Sequence, residues 1–310
     1  MIDNISWPTS HEAVRLFHGR GHFFPGYEHI TVDWYSPVVL ITCFDEPDVG
    51  WLEETATALK QGLEERSFSG ISVVVQFRCR RGAPFETLIG EASDEMAICE
   101  DGLKYRLRLF QNQNTGLFLD MANGRRWVRE HAEGKRVLNL FAYTCAFSVA
   151  AVAGGAESVL NVDMAKGALS TGRDNHRLNG QALSQVRFEG VDIFRSWGRI
   201  RRHGPYDLLI CDPPTFQKGS VDIARDYARI LRRLDDFMLP GADMLLCLNA
   251  QNLDEEFLRS EVSRECPGAE LVAAIPAPEV FREAMPGRGL KVLHYRYRPD
   301  QNGLKSSNTE

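Results

Sequence analysis

The sequence predicts an α/β fold: a mostly parallel sheet with an antiparallel edge, preceded by a small α+β, β-rich domain. Three observations carry this. From Leu119 onward strand-like and helix-like segments alternate regularly, which places parallel strands under helices on both faces. The apolar run Tyr206-Asp207-Leu208-Leu209-Ile210-Cys211 reads as a buried strand that stops abruptly in Asp212-Pro213-Pro214-Thr215-Phe216. Two strand-like runs after the last helical segment supply the antiparallel edge.

Residues 1–114 form the small domain. Strands are expected at Ile30–Tyr35, Val38–Phe44, Ile71–Arg78 and Leu103–Phe110, and Leu52, Ala56, Leu59 and Leu63 recur at helical spacing within Trp51–Arg66. The turn-rich stretch Gln111-Asn112-Gln113-Asn114-Thr115-Gly116 leads into the second domain, residues 115–299. There the expected order is helix Gly124–Glu133, strand Arg136–Phe141, helix Phe147–Ala153, strand Ser158–Asp163, helix Ala165–Asn179 and strand Val186–Glu189. Helix Ile193–Arg202, strand Tyr206–Asp212, helix Ile223–Leu239, strand Met244–Asn249, helix Asp254–Glu265 and strands Glu270–Ile275 and Leu290–Tyr297 follow. Glycines or prolines punctuate most of these boundaries. The tail 300–310 is polar and is expected to be disordered.

Composition bounds the function. The chain has 310 residues with 44% hydrophobic and 25% charged side chains, ordinary for a soluble protein. No run is apolar enough to span a membrane, and the N-terminus lacks signal-peptide character. Seven scattered cysteines without a Cys-x-x-Cys pair, and eight histidines without ligand spacing, point to a reducing cytoplasm and to no metal site. The net charge of −6 is unevenly spread: residues 1–114 hold 10 Lys+Arg against 17 Asp+Glu, the remainder 26 against 25. A polyanionic partner must therefore meet local basic clusters. Candidates are Arg78, Arg80 and Arg81, then Arg195, Arg199, Arg201 and Arg202, then Arg225, Arg229, Arg232 and Arg233.

The chemistry gathers at strand ends. Asp163, Asp192 and Asp212 stand at or just past three successive strands, which aims them at one crevice along the carboxyl edge of the sheet. Asp163 lies 22 residues after Phe141, the spacing that lets an acid accept both hydroxyls of an adenosine ribose. Dinucleotide enzymes share that spacing but want Gly-x-Gly-x-x-Gly in the first turn. Here the turn is Asn139-Leu140-Phe141-Ala142-Tyr143-Thr144-Cys145-Ala146-Phe147, without glycine. A pyrophosphate is disfavoured, whereas a compact sulfonium with an amino-acid tail fits. Asp192 is placed for an adenine amino group. Prolines 213 and 214 hold the backbone after Asp212 extended, and Phe216 offers a ring for stacking on a nucleobase.

Asn139-Leu140-Phe141-Ala142-Tyr143-Thr144, Val162-Asp163-Met164, Asp212-Pro213-Pro214-Thr215-Phe216 and Thr115-Gly116-Leu117-Phe118-Leu119-Asp120 resemble the S-adenosylmethionine-dependent methyltransferases of large-subunit (23S) ribosomal RNA. The resemblance covers roughly residues 105–298 and is nearer to the guanine-N7 branch than to the sister cytosine-C5 branch. It implies a Rossmann-like class I methyltransferase domain, S-adenosylmethionine as cofactor and ribosomal RNA as partner. Carried over by position, Asp163 and Met164 meet the ribose end, and Asp192 and Ile193 the adenine. Phe141, Tyr143 and Thr144 line the methionine end, and Asp212 closes the pocket. Pro213, Pro214, Thr215 and Phe216 make the base-facing wall, with Asn249 and Asn252 beside it. Arg78, Arg80 and Arg81 are expected to touch RNA.

Two positions depart from the family pattern. Cys145 stands where glycine is usual, so a side chain threatens to crowd the cofactor. Ala122 stands where an arginine is usual, leaving Arg125 or Arg126 to replace it. Both departures keep a non-catalytic RNA-binding module with a decayed cofactor site open as an alternative.

Guanine N7 carries no proton and needs no base, only alignment. Cytosine C5 needs a cysteine nucleophile. Cys247, flanked by Leu246 and Leu248, lacks the flanking residues of the cytosine branch and reads better as a packing residue. Cytosine-C5, amino-group and small-molecule methylation remain alternatives to N7.

Overall fold

The structure is a computed structural model that describes residues 1–111, 113–214 and 222–299, with the backbone alone at 216–217 and 221. Contacts divide the chain into two units. The first is Met1–Ala122 with Pro278–Pro286, and the second is Asn123–Ala277 with the residues from Gly287 onward.

In the first unit, strands β1 (Val14–His18), β2 (Ile30–Tyr35) and β3 (Val38–Cys43), helix α1 (Val49–Glu64), and strands β4 (Ser72–Phe77) and β5 (Phe85–Ile89) build a five-stranded sheet in the order β1-β2-β3-β4-β5. α1 is the crossover between β3 and β4, the one parallel pair in that sheet. The Asp48 carboxylate caps the helix by accepting from the Trp51 amide at 2.8 Å, a contact worth about 1 kcal/mol. Leu52, Ala56, Leu59 and Leu63 are buried in one core with the β2–β4 side chains, as the helical spacing requires. β6 (Glu95–Glu100) and β7 (Leu103–Arg108) pair as a hairpin. β1, β5 and β6 escape the sequence reading because a bulge interrupts the alternation of β1, β5 buries none of its side chains fully, and β6 buries only Ile98 and Glu100.

The second unit runs α2 (Ala122–His131), β8 (Arg136–Leu140), α3 (Ala146–Ala153), β9 (Ser158–Val162), α4 (Lys166–Leu178), β10 (Val186–Glu189), α5 (Trp197–His203) and β11 (Tyr206–Cys211). The two-residue strands β12 (Phe216–Gln217) and β13 (Val221–Asp222) precede α6 (Ile223–Leu231), β14 (Met238–Leu248), α7 (Glu255–Glu265), β15 (Glu270–Ala274) and β16 (Lys291–Arg296). Seven strands order as β10-β9-β8-β11-β14-β16-β15. The first five are parallel, and β16 enters antiparallel between β14 and β15. The fold is therefore the Rossmann-like, mostly parallel sheet with an antiparallel edge. Strand order reverses between β8 and β11, the switch point where such sheets bind ligands.

Two helices differ from expectation. Ile193–Arg202 divides into a 3-10 turn, Ile193–Arg195, and α5, because Asp192 caps the turn by accepting from the Phe194 amide at 2.8 Å. α6 ends at Leu231 rather than Leu239, and β14 starts at Met238, before Pro240-Gly241. The proline falls in an irregular stretch where Tyr206–Leu208 faces Met238–Asp243, so its missing N–H does not break the ladder. Among the described residues no helix is long and apolar enough to cross a membrane.

Candidate functional site

β8 ends in a loop of unusual backbone: Phe141, Tyr143 and Cys145 have φ of 57°, 47° and 60°. Three L-residues in the left-handed region cost of order 1 kcal/mol or more each and persist only where their surroundings hold them. Several groups do so here. The Ala142 amide donates to Val162 O at 3.2 Å and the Cys145 amide to Ala142 O at 2.7 Å. The Tyr143 amide donates to the Asp163 carboxylate at 2.8 Å, and buried Asn175 on α4 donates to Thr144 O at 2.9 Å.

Cys145 is fully buried and turns behind the loop, packing with Ala142 and Leu169. It fits because Gly172, in the middle of α4, has no side chain. A Cβ built there would overlap Cys145 Sγ and stand 2.8 Å from its Cβ and 3.2 Å from Thr144 O. The Cys145 side chain thus sits in the core against α4 rather than at the surface of the loop. Burial also pushes the Cys145 thiol well up, so it is chemically quiet. The sequence held a signal for this: a glycine inside a helix costs about 1 kcal/mol against alanine and asks for a packing reason.

Behind the loop a polar chain threads the core. Asn139 Nδ2 donates to Asn161 Oδ1 at 2.8 Å, Asn161 Nδ2 to Ser148 Oγ at 2.9 Å, and Ser148 Oγ meets His176 Nε2 at 2.9 Å. His176 Nδ1 meets Gln181 Oε1 at 2.6 Å, and Gln181 Nε2 donates to Val149 O at 2.9 Å. Because the Gln181 amide already donates, its oxygen must accept, which puts the proton of a neutral His176 on Nδ1 and leaves Nε2 to accept from Ser148. Burial lowers the His176 pKa from 6.5 to about 4, consistent with that neutral form.

At the end of β9, Asp163 receives the Tyr143 amide on one oxygen and the Ala165 amide, at 2.7 Å, on the other. Each oxygen keeps a lone pair for a ligand hydroxyl. Met164 beside it is 46% exposed, unusual for a methionine without a surface to cover. Past β10, Asp192 caps the 3-10 turn, with Arg195 at 3.4 Å. Ile193 enters the core, whereas the half-buried Phe194 ring lies 6.4 Å from that of Phe141 and 4.2 Å beneath the Arg229 guanidinium. Phe194, Gly172 and Asn175 were not singled out from sequence.

Asp212 and Pro213 follow β11 with Pro213 buried and Pro214 exposed. Thr215 and the Phe216 side chain lie outside the described residues, so the expected aromatic wall is not placed. Beneath these residues buried Tyr227 gives its hydroxyl to Cys247 O at 3.2 Å, bridging toward β14. Cys211 and Cys247 are both 0% exposed, and burial raises the Cys211 thiol. Asn249 is exposed just past β14. Buried Lys291 donates to Ala250 O at 2.7 Å and Leu253 O at 2.6 Å, fixing that loop. Arg125 is 4% exposed, and Arg126 donates to Asn123 at 3.4 Å.

The basic clusters fare unequally. In the first unit Arg80 is held by Glu46 and, at 3.1 Å, by Glu86, and Arg78 donates to Gln113 O at 2.5 Å, while Arg81 is exposed. Arg199, Arg232 and Arg233 pair with Glu189, Glu265 and Asp236. Arg225 and Arg229 share buried Asp226.

Comparison with known proteins places the chain in one family. The family of S-adenosylmethionine-dependent methyltransferases matches residues 14–296. Ribosomal RNA large subunit methyltransferase K of Neisseria meningitidis is 32% identical over 270 residues, 80% of this chain and 73% of that protein. Ribosomal RNA large subunit methyltransferase K/L of Pseudoalteromonas translucida is 33% identical over 192 residues, 60% of this chain but only 27% of that longer protein. The chain thus spans about a quarter of its K/L relative. A solved structure assigned as a methyltransferase and complexed with S-adenosylhomocysteine superposes with a TM-score of 0.82 at 26% identity, covering 93% of this chain and 76% of the other. The lone pairs kept by Asp163 suit the hydroxyls of S-adenosylmethionine, the cofactor of that family. The chain belongs to the family of S-adenosylmethionine-dependent methyltransferases.

Proposed function

We propose that this chain methylates large-subunit ribosomal RNA, at guanine N7, from a cofactor seated along the carboxyl edge of the seven-stranded sheet. One observation carries the reading: the edge gathers Asp163, Asp192, Asp212 and Asn249 but exposes no cysteine, since Cys145, Cys211 and Cys247 are each 0% exposed. S-adenosylmethionine supplies an electrophilic methyl group on a sulfonium. The chain's own part is placement. Asp163 accepts the ribose hydroxyls and Met164 covers that end. Asp192 accepts from the adenine amino group, with Ile193 and Phe194 behind it. Phe141, Tyr143 and Thr144 present backbone to the methionine end. Asp212, Pro213 and Pro214 floor the pocket, and Asn249 hydrogen-bonds the base edge.

A ring nitrogen with a free lone pair attacks without a covalent intermediate or a base, so alignment within a dry pocket supplies the rate. Burial of Cys247 disfavours the cytosine-C5 alternative, which needs a thiolate. The rRNA-methyltransferase relatives support the substrate class. The domain 1–114 is proposed as the substrate side, with exposed Arg81 among its contacts.

The test is transfer of labelled methyl from S-adenosylmethionine to purified 23S rRNA, followed by borohydride reduction and aniline cleavage. Strand scission at a labelled guanosine supports N7. Label without scission moves the reaction to another atom, and no label on any ribosomal RNA removes the substrate class.

A further inference from the structure

The sequence cluster at Arg78, Arg80 and Arg81 does not act as one patch, because Arg80 is neutralised by Glu46 and Glu86. A different set comes together in the first unit. The Arg20 guanidinium lies 4.0 Å over the Phe44 ring, and that of Arg78 lies 5.6 Å from the same ring. Arg282, returned to this unit by the segment Pro278–Pro286, lies 4.1 Å over Phe23 and 5.2 Å from Phe24. The backbones are pressed together at this point. The Ala284 amide donates to Gly21 O at 2.7 Å, and a Cβ on Gly21 would run into the Arg282 carbonyl. Arg282 and Phe23 are exposed.

These cations are not spent on carboxylates. Neither Arg20 nor Arg282 has an ion-pair partner among the described residues. Arg78 donates to Gln113 O and Asn114 Oδ1 through Nη2, while its buried Nε has no partner. Arg15, by contrast, is engaged by Asp33 at 2.5 Å. Glu283 and Asp45 are the carboxylates that face Arg20. Burial lowers the Arg20 and Arg78 pKa values; at Arg20 the charge of Glu283 opposes this more than that of Arg15 adds to it, whereas at Arg78 the like charges of Arg20 and Arg15 add to it. The crowding at Arg78 is relieved by an anion.

We propose that Arg20, Arg78 and Arg282, seated on Phe44 and Phe23, form a docking surface for single-stranded RNA, resting on the RNA-substrate reading above. A guanidinium lying flat on a ring turns its N–H groups outward along one plane, the geometry that meets phosphate oxygens. Exposed Phe23 adds a face for a base. Residues 1–114 as a whole carry an excess of acid, so a polyanion is steered toward local cationic patches such as this one.

The test uses the full chain and a fluorescein-labelled, uridine-rich oligoribonucleotide, read by anisotropy across a salt series. The Arg20→Glu, Arg282→Glu pair is expected to bind at least about tenfold more weakly, with the slope of log affinity against log salt reduced by about 1.4, two phosphate contacts on a single strand. Its S-adenosylhomocysteine affinity stays at the wild-type value. The Arg20→Gln, Arg282→Gln pair shifts in the same direction, which keeps the test valid where charge reversal impairs folding. Wild-type RNA affinity in both pairs overturns the surface while leaving methyl transfer to ribosomal RNA standing. A folded wild type that takes S-adenosylhomocysteine but no RNA overturns the surface and the RNA-substrate reading together.

Discussion

The two edges of the seven-stranded sheet treat carboxylates in opposite ways. At the amino edge, nearly buried Asp243 on β14 is surrounded by Lys135 at 2.6 Å, His294 at 2.7 Å and Arg296 at 3.0 Å, with the Trp127 ring tilted 4.5 Å from that of His294. At the carboxyl edge, Asp163 is held by two backbone amides instead. Cations saturate a carboxylate and lock it into the fold, whereas amides orient it and leave lone pairs exposed. The first arrangement builds stability, and the second suits the ligand-receiving role proposed for Asp163.

The largest effect tests the receptor. Asp163→Ala removes two acceptors from a ligand's hydroxyls and frees the Tyr143 amide, which is expected to cost about 3–6 kcal/mol of S-adenosylhomocysteine binding. Calorimetry on a variant with an intact circular dichroism spectrum checks it, and unaltered affinity would remove the cofactor role.

Acid separates the edges next. His176, behind the receptor loop, has its folded pKa lowered from 6.5 to about 4 by burial. Its contribution is therefore complete above about pH 6.5 and is lost as pH falls through about 4, roughly 3 kcal/mol in all. Burial raises the Asp243 pKa, but the bonds from His294 and Lys135 and the charge of Arg296 outweigh this and bring it from 3.8 to about 2. Its contribution persists above pH 3.8 and is lost as pH falls through about 2. Urea melts across this range should lose stability first in the upper window, which His18, lowered by burial to about 3, shares, and a His176→Gln variant should reduce the loss there and leave the lower window unchanged. A variant that melts with the wild-type pH profile refutes the assignment.

The brace of the receptor loop comes third. Gly172→Ala forces Cys145 and Thr144 aside, an overpacking cost of about 1–3 kcal/mol, and should weaken S-adenosylhomocysteine binding roughly tenfold. Adding Cys145→Gly vacates the space and should restore most of the affinity. Lack of rescue in the double variant would detach Gly172 from the loop. The smallest effect belongs to the amino edge: Asp243→Asn should cost about 1–2 kcal/mol of stability, after allowing for partly exposed Lys135 and Arg296. Cofactor affinity should not change, and a variant that loses it would erase the contrast between the edges.

What the sequence determined by itself was the periodic part of the molecule. Alternating apolar strands and helices are local consequences of residue period, so β8 to β11, α4, α7 and the antiparallel edge were legible. So was the row of Asp163, Asp192 and Asp212, because position at a strand end follows from strand order. Short exposed strands such as β5 and β6 were not legible, since they bury too little to leave a pattern. The early start of β14 depended on Met238 pairing with Tyr206 across the sheet. Tertiary structure alone decided where side chains meet. It set Cys145 against Gly172, 27 positions away, and Arg282 against Phe23, more than 250 away. It also divided Arg78 from Arg80 by giving only the latter carboxylate partners. Such pairings are written in no local period, because they depend on which surfaces the fold presses together.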